Sequence, residues 1–220
     1  MTTSRQQVRF PGERESSRAA RNRFAVARGR RLHSISHGHH SAVEIALTTS
    51  RERKPEPSEY LPYYGAYIAL VPEGDVLSTL ASQMNETQAL IRGLPSGVAT
   101  YRYAPGKWSV IEVLGHVLDS ERIFAERALR FARNDSTPLP GFEQDDYVRN
   151  ASFEAYALAD LATEFESVRR STVYLFQHLD EAAWMRRGIA NGAEVSVRAL
   201  AYIIAGHELH HREILRSRYL

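Results

Sequence analysis

The sequence contains no cysteine, which removes disulfides, thiolate metal ligands and a cysteine nucleophile together. Any thiol chemistry must use a thiol that arrives with the substrate. No stretch approaches the roughly eighteen consecutive apolar residues of a membrane span, and the start lacks the basic segment and hydrophobic run of a secretory signal. A cytoplasmic location without membrane association is the resulting expectation. Also missing are G-x-S-x-G, a P-loop and G-x-G-x-x-G, so serine hydrolase, nucleotide hydrolase and dinucleotide-binding chemistry have no local support.

What is present divides unevenly. The chain of 220 residues is 43% hydrophobic, enough for one domain with an ordinary core and an appendage. Residues 1–54 hold twelve Lys/Arg against four Asp/Glu, leaving sixteen against twenty-two for the rest. This shift, followed by a linker at Pro55 and Pro57, predicts a disordered basic tail and linker over 1–57 and a domain over 58–220. The tail has Arg-Gly-Arg-Arg at 28–31 and a His37, His39, His40 cluster, but only two aromatic residues, Phe10 and Phe24, lie among its arginines, too few to make a run of stacking surfaces for bases. A solvated extension, a transit peptide, a nucleic-acid contact and an early start codon all fit it; a functionless or wrongly included extension is favoured over specific nucleic-acid binding. Deleting 1–54 is expected to leave folding intact.

Beyond the aromatic stretch Tyr60–Tyr67 the pattern becomes helical. Val76, Leu80, Met84, Thr87 and Ile91 share a face of a helix from about Asp75 to Leu94. Ser109 and Glu112 form an S-x-x-E capping box, with Trp108 and Val113 as the staple, opening a helix that continues to about Arg133. Leu158, Leu161, Phe165, Val168, Thr172, Leu175 and Leu179 mark a third helix over about 155–179, and a fourth begins after Ser196. These four predict an all-α four-helix bundle. Asn134 to Asn150, with Pro138-Leu139-Pro140-Gly141, reads as a non-helical crossing loop, and Asn191-Gly192 as a type I′ turn; both suit a lid or rim.

On the last helix the apolar stripe Leu200, Ile204, His207, His211, Ile214 is interrupted by two imidazoles at consecutive turns. Residues four apart have Cβ atoms about 6 Å from each other, close enough to share one divalent cation. Such a pair also occurs as core histidines satisfied by neighbouring polar groups. His116 strengthens the metal reading, because the capping box fixes it two turns into its helix, on the side shared with Ser120 and Ile123. Three neutral imidazoles plus water describe an open site for zinc, nickel, iron or manganese. His210 points roughly 80° away and reads as a rim residue.

His207-Glu208-x-x-His211 is also literally H-E-x-x-H, the zincin signature with Glu208 as general base. Zincins take their third ligand downstream, and the nine residues from Arg212 to Leu220 contain no histidine and only Glu213 as a carboxylate, on the opposite helix face. The protease reading therefore fails, while Glu208 keeps a role as catalytic base or as a group supporting the ligands.

Tyr103-Ala104-Pro105-Gly106-Lys107-Trp108-Ser109, Gly115-His116, Arg198-Ala199-Leu200 and Gly206-His207-Glu208-Leu209-His210-His211 together resemble the DinB-like superfamily, in particular its DinB_2 branch, from about residue 58 to the end. The resemblance implies an up-down-down-up four-helix bundle of the DinB/YfiT-like kind, often a homodimer, with a divalent metal on His116, His207 and His211. It further implies a metal-dependent transferase using a low-molecular-weight thiol such as bacillithiol or mycothiol, or a related isomerase or hydrolase acting on a small electrophile. Tyr202, Arg127 and the 134–150 loop are expected to help hold that substrate. A non-catalytic metal- or ligand-binding stress protein is the alternative, separable by whether the site opens onto a pocket.

Overall fold

The computed structural model describes residues 49–95 and 97–220; the basic segment through residue 48, with His37, His39 and His40, lies outside the described residues. A short helix α1 (Gly65–Leu70) precedes α2 (Val76–Arg92) and α3 (Val110–Ala132). After α4 (Gln144–Ala151) come α5 (Leu158–Gln177), α6 (Glu181–Met185), a hairpin of β1 (Arg187–Ala190) and β2 (Ala193–Ser196), and α7 (Val197–Ile214). Side-chain caps set the starts of α2, α3 and α7. Asp75 accepts from the Leu77 amide at 2.9 Å, and the Ser196 hydroxyl from the Ala199 amide at 2.9 Å. At α3 the Glu112 carboxylate accepts from the Ser109 amide at 2.6 Å while the Ser109 hydroxyl accepts in return, the box read from the sequence.

The long helices α2, α5, α3 and α7 pack in that order around a ring, so α2 and α3 are diagonal neighbours, as are α5 and α7. Cross-helix pairs give the directions. Gln83 reaches the Ala205 carbonyl and Glu86 reaches Arg212, so α2 and α7 run parallel. The Leu80 carbonyl meets Arg169 and Gln88 meets Glu166, which makes α5 antiparallel to α2. His116 faces His211 while Phe124 faces His207, so α3 is antiparallel to α7. The topology is up-down-down-up.

Parallel α3 and α5 require a connection that returns along the bundle. Residues 133–157 make it: Leu139 bonds to the backbone of Ile189 and Asn191 near the end of α3, and Phe153 packs onto Gly115 near its start. The non-helical reading of 134–150 needs correction, because α4 forms within it. The breakers Pro138, Pro140 and Gly141 all precede α4, Asp145 and Asp146 sit favourably in its first turn, and its one buried side chain, Val148, leaves no period to detect. Asn191 and Gly192 both have positive φ, 52° and 73°, as a type I′ turn demands.

Packing also extends upstream of residue 58. The Ser50 amide donates to Glu181 at 3.0 Å, the buried Tyr202 hydroxyl donates to the Arg51 carbonyl at 3.1 Å, and Lys54 pairs with Glu73. A cut at residue 54 would therefore orphan Tyr202 rather than fall in a neutral linker. Glu59 is buried, where the Ser196 hydroxyl donates to it at 2.7 Å and the Arg198 guanidinium also pairs with it, tying this segment to the start of α7.

One stripe is displaced. On α5 the deepest positions are Leu161, Phe165, Arg169, Thr172 and Phe176, with Val168 and Leu175 only half-buried. An apolar count assigns an arginine to the surface, yet Arg169 is 0% exposed at the bundle centre.

Candidate metal centre

His116 from α3 and His207 and His211 from α7 converge, with exposures of 3%, 6% and 9%. The Nε2 of His207 lies 3.1 Å from the Nε2 of His116 and 3.1 Å from that of His211. One ring nitrogen from each histidine lies within 4.8 Å of the others. Two nitrogens each about 2.0–2.1 Å from a tetrahedral ion would be about 3.3 Å apart, so the donor set matches the spacing a divalent cation needs. A hydrogen-bond explanation does less well. His207 Nε2 cannot be both donor and acceptor to its two neighbours, and the buried His211 Nδ1 has no partner among the described residues. The Nδ1 of His116 lies 3.4 Å from the Ser120 hydroxyl, which fixes that ring from behind.

Both glycines that precede a site histidine are packing requirements. A Cβ at Gly115 would stand 2.4 Å from the Phe153 ring, and one at Gly206 only 2.0 Å from the Tyr67 carbonyl. The second close approach lets α1 lie on α7, placing the Tyr67 ring 5.4 Å from His207 and 5.1 Å from the half-buried His210 at the rim. Trp108 covers the other side, 4.8 Å from His116.

Burial pushes the His116 imidazole down to about 4 and His211 to about 3, and holds His207 well below the usual range. All three are therefore neutral at pH 7, with lone pairs available. In the unfolded chain they titrate near 6.5, so as pH falls below that value the unfolded state takes up protons that the metal-free fold refuses. Stability of the metal-free protein is expected to fall between about pH 6.5 and 5, above the range where carboxylates protonate. Urea midpoints at pH 7.2 and 5.2 check this; an unchanged or higher midpoint at the lower pH would contradict it.

His116 and His207 open onto a cavity of about 320 Å³, also lined by Ser120, Phe124, Tyr64, Tyr67 and Arg127. Gly141, Phe142, Glu143 and Gln144 close one side and Asn191 another, as expected of the two loops. Arg127 takes its expected place, with its guanidinium over Phe124 and Phe142. Tyr202 does not, since its hydroxyl is spent on Arg51 on the other side of α7. The tyrosines were legible in principle: Tyr63, Tyr64 and Tyr67 have the spacing of one helical face, but the fold of α1 onto α7 reveals which wall they form.

Glu208 is a correction. It is 1% exposed and does not line this cavity; Thr87 donates to its Oε1, and its Oε2 is 2.6 Å from Arg169. One position past His207 on α7, it faces α2 and α5 and not the cavity, so it is placed to hold the bundle and not to move a substrate proton.

Fold and site together define an up-down-down-up four-helix bundle with a buried three-histidine cluster at the wall of a cavity. The profile of the DinB superfamily (DinB_2) matches residues 79–215, and the chain belongs to that family. Among solved structures it is similar to YfiT from Bacillus subtilis, described as a probable metal-dependent hydrolase with an unusual four-helix bundle topology, at 14% identity and a TM-score of 0.56 over 75% of this chain and 93% of that one. It is also similar to the DinB-like protein YjoA from Bacillus subtilis, at 24% identity and a TM-score of 0.48 over 64% and 86%. No curated protein matches the sequence.

Proposed function

We propose that this protein is a metal-dependent enzyme that hydrolyses a small electrophilic molecule, using a divalent cation held by His116, His207 and His211. The observation that carries the reading is three neutral, buried imidazole nitrogens converging at the wall of a cavity of about 320 Å³, where a purely structural metal would be enclosed by protein ligands. The hydrolase assignment is the one given for YfiT, whose fold is shared. A bound cation would supply Lewis acidity and a nucleophile near neutral pH without a protein cysteine. The chain's own residues orient and dry the site. Ser120 fixes the His116 ring, while Tyr67 and Phe124 pack edge-on against His207 and restrict water. Burial keeps the Tyr67 hydroxyl, 3.0 Å from that of Tyr63, protonated well past its ordinary range, so the Tyr67 phenol acts as a neutral donor toward a bound substrate.

The test is reconstitution. Metal-free protein is loaded with zinc, nickel, iron(II) or manganese and offered small esters, amides and electrophiles, with and without a low-molecular-weight thiol. Turnover is expected to require added metal and to be lost on chelation; a requirement for thiol would redirect the reading to thiol transfer. If elemental analysis finds no bound metal after loading with any of the four, the proposal fails.

A further inference from the structure

Among the described residues four arginines are buried: Arg127, Arg169, Arg198 and Arg212. Three have carboxylate partners, Arg169 with Glu121 and Glu208, Arg198 with Glu59 and Arg212 with Glu86. Arg127, 4% exposed, pairs with no carboxylate among the described residues, and it is the one of the four that lines the histidine cavity. Its Nη2 donates to the Pro140 carbonyl at 2.8 Å and the neutral Tyr64 hydroxyl is its other polar neighbour, which leaves most of a five-donor fork unclaimed and its charge unmatched. Phe124 and Phe142 lie 5.9 and 5.8 Å from its guanidinium carbon, which softens the cost of burying a cation but brings no counter-charge.

The position is also aligned with the reacting end. Arg127 follows His116 by eleven residues on α3, three turns and about 20° further round, so both side chains leave the same face of one helix. The guanidinium is 5.9 Å from the Phe124 ring, and that ring is 6.1 Å from His207; laid end to end, these keep it within about 12 Å of the His207 ring. A molecule of modest length can bridge the two.

We infer that the cavity takes a small substrate carrying a carboxylate, which Arg127 binds while the electrophilic group lies at the three-histidine end. The planar fork fits a carboxylate with two parallel hydrogen bonds. A monoanion fits better than a phosphate dianion, because one positive charge is offered and Glu143 lines the same cavity. The inference rests on the proposed metal centre only for where the reacting group sits.

Two measurements separate the ideas. Zinc-loaded protein is titrated with acetohydroxamate and with succinic, adipic and suberic monohydroxamates, each of the three also as its neutral methyl ester. At one chain length or more, the free acid is expected to bind roughly 10- to 100-fold more tightly than its ester, and Arg127→Gln is expected to erase that difference without weakening acetohydroxamate. In parallel, metal-free protein is offered adipate or adipamide, followed by ligand-observed NMR; adipate alone should bind, and only to protein with Arg127. If no hydroxamate binds but adipate still depends on Arg127, the metal reading fails and the carboxylate site stands. Equal affinities of acid and ester at every length, or adipate binding no better than adipamide or unaffected by Arg127→Gln, would overturn the inference.

Discussion

His207→Ala is expected to lose stoichiometric metal binding, with a larger effect than alanine at His116 or His211. The reason is geometric: the His207 Nε2 is the atom 3.1 Å from both of the others, so its removal takes away the donor that both approach and leaves one imidazole on each of two helices. Losing a hydrogen-bond partner behind a metal ligand already costs roughly 10- to 100-fold in affinity, and losing a central ligand costs more. The wild type should melt at a higher temperature when loaded with metal, and the variant should not, since only a ligand that prefers the native state stabilises it. Competition with a chelator gives the affinity and circular dichroism shows that the helices persist. A variant that keeps one equivalent of metal at wild-type affinity would remove His207 from the ligand set.

The site was more legible in the sequence than the framework that holds it. His207 and His211 stand out because they break an apolar stripe, and His116 because a capping box fixes the helix phase around it; both signals are local. The order of helices around the bundle is set by contacts such as Gln83 with Ala205, 122 residues apart, which no period encodes. Arg169 escaped for the same reason. Its partners Glu121 and Glu208 sit on two other helices, and three charged residues read singly look like three solvated positions. Glu208 was pulled toward catalysis by its place in H-E-x-x-H. A helix turns about 100° per residue, and that single step directs it away from the cavity that His207 lines.

Arg169→Met is expected to destabilise the bundle by about 3–5 kcal/mol, a fall in melting temperature on the order of 10 °C. Arg169 is wholly buried and its fork is committed in all directions: Nε and Nη2 each donate to Glu121 at 2.8 Å, Nη1 donates to the Leu80 carbonyl at 3.1 Å and to Gln83 at 3.2 Å, and Nη2 approaches Glu208 at 2.6 Å. Removing it leaves two carboxylates inside the bundle with, among the described residues, Arg212, 3.7 Å from Glu208, as the nearby cation. The loss is thus the cost of stranded charge more than of missing contacts. Adding Glu121→Gln and Glu208→Gln to the Arg169→Met protein should recover most of it, because a network removed whole leaves no uncompensated ion. The single change Glu208→Gln separates structure from catalysis. A base would give a stable but inactive protein, whereas a member of this network gives one that melts lower while retaining metal. Unfolding curves for the three proteins decide the matter, and an Arg169→Met protein as stable as the wild type would show that the buried charges are balanced by something other than this arginine.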